Sequence, residues 1–63
     1  MTRKQMIEFC VNDQIARGIV KPEKRNVQVS MRLKGCGAAK PMSYSDCLAW
    51  YESTVNANAA SEN

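Results

Sequence analysis

From Val27 to Lys34 the chain reads VQVSMRLK, an unbroken alternation of apolar and polar side chains. Val27, Val29, Met31 and Leu33 fall on one side of an extended chain, and Gln28, Ser30, Arg32 and Lys34 on the other. That is the pattern of a half-buried strand. Gly35-Cys36-Gly37 follows, with permissive backbone at both ends of a turn. The next residues, AAKPM, suit a shorter return strand, with Pro41 at an edge or an end because it lacks an amide donor. The expectation is a hairpin pairing residues 26–34 with 38–42. The competitor is a helix that begins at Pro22, since Pro-Glu suits a first helical turn. The alternation argues against it.

A helix is expected on either side of this hairpin. Thr2 and Gln5 have the spacing of a capping box. Met6, Ile7, Cys10, Val11 and Ile15 then share one helical face. Gly18 suits the residue just past the helix, which ends near Arg17. Phe9 lies off the main stripe. At the other end, Ser43 and Asp46 form a second capping box, and Met42 and Cys47 take the positions of a hydrophobic staple. Tyr44, Cys47, Leu48, Tyr51 and Val55 make one apolar face of the last helix. Between the first helix and the hairpin, Ile19-Val20 reads as a short extended segment.

The fold class expected is therefore α+β: N-terminal helix, central β-hairpin, C-terminal helix. A two-stranded hairpin alone is marginal in water, so Ile19-Val20 adds a third strand or a second copy of the chain pairs along an edge. Residues 1–57 make a single small domain and 58–63 a disordered polar tail. A chain of 63 residues buries only about 60% of its unfolded surface. Small domains usually add a disulfide, a metal or a partner subunit. Cys10, Cys36 and Cys47 are odd in number, form no CxxC pair and have no histidine beside them. A homodimer is the expected reinforcement. No apolar run suits a signal peptide or a membrane span, and free thiols suit a reducing cytoplasm. Starting at Met and ending in a polar run, the chain reads as a complete small open reading frame of bacterial or phage type.

Catalysis has little to work with. Without histidine there is no ready acid–base group at neutral pH, and the acids are scattered. Cys36, near Lys34 in a Gly-flanked turn, is the sole candidate nucleophile, and it reads more simply as a turn residue. KGCGAAK lacks the spacing and the Ser/Thr of a phosphate-binding P-loop. An enzyme is not expected, and neither a cofactor nor a metal is indicated.

Charge is more informative. Residues 1–34 carry eight Lys/Arg against three acids, and residues 35–63 one Lys against three acids. A basic half suits a phosphate backbone or an acidic protein surface. Lys21, Lys24, Arg25, Gln28, Ser30, Arg32, Lys34 and Lys40 are the expected contacts on a basic hairpin face, which would fit the major groove of DNA. Trp50 closes the core or projects as a contact residue. The function expected is a small nucleic-acid-binding or regulatory protein. The alternative is a protein-binding module, an inhibitor or adaptor that uses the strand edge, the basic patch and Trp50.

Overall fold

In the computed structural model, residues 1–61 are described, and they are helical where the hairpin was expected. Helix α1 spans Arg3–Ala16, a 3-10 turn covers Pro22–Lys24, α2 spans Arg25–Lys34 and α3 spans Tyr44–Ser61. Among the described residues there is no strand, and the only β-type pairing is an isolated bridge between Cys36 and Ala39. The fold is all-helical, which corrects the α+β expectation and removes both the third strand and strand pairing between copies.

Both terminal helices start as their sequences dictate. Thr2 Oγ1 accepts from the Gln5 amide at 3.1 Å and Gln5 Oε1 accepts from the Thr2 amide at 2.8 Å. Ser43 Oγ accepts from the Asp46 amide at 3.2 Å, and Asp46 Oδ2 from the Ser43 amide at 3.3 Å. Each reciprocal pair satisfies amides that a helix start leaves unbonded. Helix α1 stops at Arg17, and Gly18 takes a left-handed φ of +76°. The amides of Ile19 and Val20 both donate to the Gln14 carbonyl, at 2.9 and 3.3 Å. Those bonds wrap the segment back onto α1 and leave it no extended ladder.

Helix α2 is the competitor that the alternation argued against. Pro22 occupies the first position of the 3-10 turn and the chain runs from there directly into helix. Gln, Met, Arg, Leu and Lys are good helix formers, and the alternation also contains a helical pair. Val29 is buried and Leu33, one turn on, is packed against the core. The cost of this choice is that Val27 and Met31 face outward, 51% and 39% exposed. The return strand could not have supported the alternative: Gly35, Gly37 and Pro41 leave too few residues able to hold a ladder.

The end of α2 is finished by three different donors. The Gly35 amide bonds the Met31 carbonyl at 2.8 Å and the Met42 amide bonds the Arg32 carbonyl at 2.9 Å. Arg3 reaches over from α1 to donate through Nη2 to the Leu33 carbonyl at 3.0 Å and through Nε to the Met42 carbonyl at 2.8 Å. The loop 35–43 is thus folded back along α2 rather than paired with it as a strand.

Helix α1 is the central element and packs against both α2 and α3. Met6, Ile7, Cys10 and Val11 are its buried face, as the spacing predicts, joined by Val29 and Cys47. Cys47 belongs to this cluster and Met42 is packed against it. The core face of α3 is rotated from the expected one. Cys47, Trp50, Tyr51 and Thr54 turn inward, while Tyr44, Leu48 and Val55 are exposed. Thr54 is buried because its hydroxyl has a partner, donating to Cys10 Sγ at 3.5 Å. Burial also pushes the Cys10 thiol above its ordinary pKa. Helix α3 continues past the expected domain limit at 57 to Ser61, and Asn58 accepts from Arg17 Nη2 at 2.8 Å. The remainder of the expected tail, residues 62–63, lies outside the described residues.

Candidate nucleic-acid interface along α2

The nine basic residues divide by type. All four arginines are engaged in the fold. Arg3 ties the end of α2 to the loop, as above. Arg17 pairs with Asp13 at 2.8 Å and bonds Asn58. Arg25 donates to Asn12 at 2.8 Å, to Asn26 at 3.3 Å and to Glu8 at 3.3 Å, bracketing α2 to α1. Arg32 lies over the Trp50 ring, 4.3 Å from its centroid. None of the five lysines makes an ion pair or a side-chain hydrogen bond among the described residues. The planar guanidinium holds several acceptors at once, whereas an ammonium is a compact, well-hydrated point charge. Arginine here builds the domain and lysine charges its surface.

Cavities border α2 on both flanks. One, about 440 Å³, lies between α1 and α2 and is lined by Lys4, Glu8, Arg25, Asn26, Ser30 and Lys34, together with Val29 and Leu33. Three cations stand there against one carboxylate, and that carboxylate is already paired with Arg25. A second, of about 330 Å³, follows the outer crest through Asn26, Val27, Ser30 and Met31 to Cys36. A third, of about 220 Å³, lies on the opposite flank, where Gln28, Arg32 and Lys40 meet Cys36, Met31 and Met42.

The expected contact residues are therefore regrouped. Ser30 and Lys34 share one groove, with Arg25 present but held by its acceptors. Gln28, Arg32 and Lys40 share the other flank, and Trp50 backs Arg32. Lys21 and Lys24 stand exposed at the approach to α2. The basic hairpin face itself does not exist, because a helical backbone separates Gln28 and Arg32 from Ser30 and Lys34 instead of aligning them. Trp50 is half-buried and packed against the core cluster, so it serves as closure and as the platform for Arg32.

Three polar residues of the groove, Lys4, Glu8 and Asn26, were not among the expected contacts. Lys4 and Glu8 stand one turn apart on α1, and Asn26 precedes the alternation. Helical spacing carried a signal for Asn26, since Asn26, Ser30 and Lys34 are successive i, i+4 positions, whereas Lys4 and Glu8 join them only through the packing of α1 on α2. Among the described residues no group of Cys, Asp and Glu is arranged to hold a metal. No helix among them is long and apolar enough to cross a membrane. Comparison with known proteins found no matching family model, no matching curated protein and no matching solved structure.

Proposed function

We propose that this protein is a small, non-enzymatic nucleic-acid-binding module that presents α2 and its flanking lysines to a phosphate backbone. The observation that carries the reading is the uncommitted charge. Lys4 and Lys34 line one groove beside Asn26 and Ser30, with the groove's only carboxylate taken by Arg25. Lys21 and Lys24 extend the same charge toward the start of α2. Free ammonium groups favour phosphate contacts, which position a duplex without reading its sequence. Asn26, Ser30 and the exposed Val27 and Met31 offer base-edge and thymine-methyl contacts in a major groove, which admits one helix. A cytoplasmic setting goes with this reading, since the exposed Cys36 is a free thiol.

Titration of labelled duplex and single-stranded oligonucleotides at two salt concentrations tests it. Affinity should fall steeply between about 50 and 200 mM salt. The Lys4→Ala/Lys34→Ala variant should bind more weakly to every sequence and reduce the log–log salt slope by about two. No binding at about 50 mM salt would overturn the proposal.

A second reading, a module that binds protein or a second copy of itself, rests on another observation. Tyr44, Leu48 and Val55 form an exposed stripe on α3, next to Tyr51 and Phe9, whose rings are 5.1 Å apart. Aromatic and aliphatic side chains clustered in this way are favoured at interfaces. Sedimentation of the wild type and of Leu48→Lys separates the cases. A dimer that Leu48→Lys dissociates supports it; a monomer in both, with no partner retained, rejects it.

A further inference from the structure

Arg32 differs from the other three arginines. Arg3, Arg17 and Arg25 each donate to carbonyl, amide or carboxylate oxygens. Arg32 has no oxygen acceptor among the described residues. Its neighbours are the face of Trp50 at 4.3 Å and Met42 Sδ at 4.0 Å from Nη1, while its Nε is buried without a hydrogen-bond partner. An aromatic face and a thioether stabilise a guanidinium weakly. A charged donor withdrawn from water without an acceptor is an unfavourable arrangement. The same guanidinium borders the 220 Å³ cavity, into whose lining Lys40 and Gln28 also enter and no acidic residue does. Met31, Ala39 and Met42 supply the rest of that wall.

From this juxtaposition we infer that the pocket between α2 and the 35–43 loop is an oxyanion site, built for a dianionic phosphoryl group held between Arg32 and Lys40. A guanidinium fork matches phosphate oxygens and an ammonium adds a second positive charge. The Gln28 amide supplies a neutral donor that also tolerates an ester oxygen. Two cations with no acid select a dianion over a monocarboxylate. The source of the phosphoryl group is free phosphate or a small phosphomonoester, for which the apolar wall gives room. The inference does not depend on the nucleic-acid reading, because this pocket and the Lys4–Lys34 groove share no lining residue.

Trp50 is the single tryptophan of the chain and carries Arg32 on its ring, so its fluorescence reports directly on the site. Sodium phosphate, glycerol phosphate, acetate and chloride are titrated at constant ionic strength. Phosphate should give a saturable change in emission together with a rise in thermal midpoint, as ligation of the folded state requires. Tighter binding of glycerol phosphate assigns the ester, and equal or weaker binding assigns free phosphate. Arg32→Met should weaken binding roughly 10-fold or more. Lys40→Ala, at an exposed position that the fold does not use, should weaken it about fivefold. Gln28→Glu places a carboxylate one turn before Arg32, so it should raise the thermal midpoint while abolishing the phosphate response. Lys4→Ala/Lys34→Ala should leave the phosphate response intact while reducing oligonucleotide binding, so either proposal can fail without the other. A non-saturating response, an equal response to acetate or chloride, or unchanged binding in Lys40→Ala and Gln28→Glu would each overturn the inference.

Discussion

At the scale of single residues, Gly35 carries the most constraint. Its backbone sits at φ +83°, ψ 169°, a region open essentially to glycine alone. A Cβ there would stand 2.7 Å from the Ala39 carbonyl oxygen and 3.0 Å from Pro41 Cδ. The first of these is main chain and cannot swing aside. Gly37, at φ +58°, has nothing within 4 Å of the same position. Gly35→Ala should therefore lose on the order of 3 kcal/mol in urea unfolding, whereas Gly37→Asn should stay within about 1 kcal/mol of wild type. Equal effects would show that the loop rearranges freely and does not hold α2. The Gly-Cys-Gly turn was visible in the sequence for the reason that proved true, positive φ at both glycines. The difference between the two glycines was not, because it depends on where the loop backbone returns.

At the scale of elements, α2 shows how a two-residue alternation misleads. Eight alternating residues place apolar groups on one edge of a strand, but residues four apart also share a helix face. Val29 and Leu33 satisfy both geometries. Val27 and Met31 satisfy only the strand, and the helix leaves them in solvent. The decision was made by the surroundings. A strand needed a paired neighbour, and the segment after Lys34 could not supply one. A helix needed only the buried side of α1 and a set of acceptors and donors at its ends. Arg3 is the distant part of that arrangement, since it meets carbonyls of residues 33 and 42 from another helix. Arg3→Ala should cost about 1.5–3 kcal/mol, and it should increase amide exchange at the end of α2 and in the loop more than at the start of α3. Uniform acceleration along the chain would mean that Arg3 contributes to global stability without capping α2.

At the scale of the whole molecule, thickness sets the limits. The principal extents are 40 × 27 × 19 Å, and the smallest is close to two helix diameters of about 10 Å each. A compact chain of this length should have a radius of gyration of about 11 Å, and the observed value is 11.9 Å. Two layers of helix bury only the faces turned toward α1. This leaves Phe9, Leu48 and Val55 partly in solvent and gathers the core around a few α1 side chains. Ile7, fully buried, stands among them. Ile7→Ala should cost about 2–5 kcal/mol, a large part of the few kcal/mol that one small core supplies. Circular dichroism should then show a strongly lowered melting point or an unfolded chain. A variant melting within a few degrees of wild type would place the core elsewhere.

What the sequence determined by itself was local. Both capping boxes, the buried face of α1, the left-handed glycines and the excess of positive charge in the first half depend on neighbours within a turn or two, and each was legible. The identity of α2, the rotation of the α3 face and the division of labour between arginine and lysine were decided only by the tertiary structure. Each of these depends on partners far along the chain: Val29 against the α1 core, Arg25 against Glu8 and Asn12, Arg32 against Trp50. The expected contact residues were arranged on a hairpin face, and that grouping does not survive in the helical fold. Period two would have put Gln28, Ser30, Arg32 and Lys34 on one face. The helix divides them between two flanks, because burial of Val29 and Leu33 against α1 outweighed any pairing the chain could offer a strand.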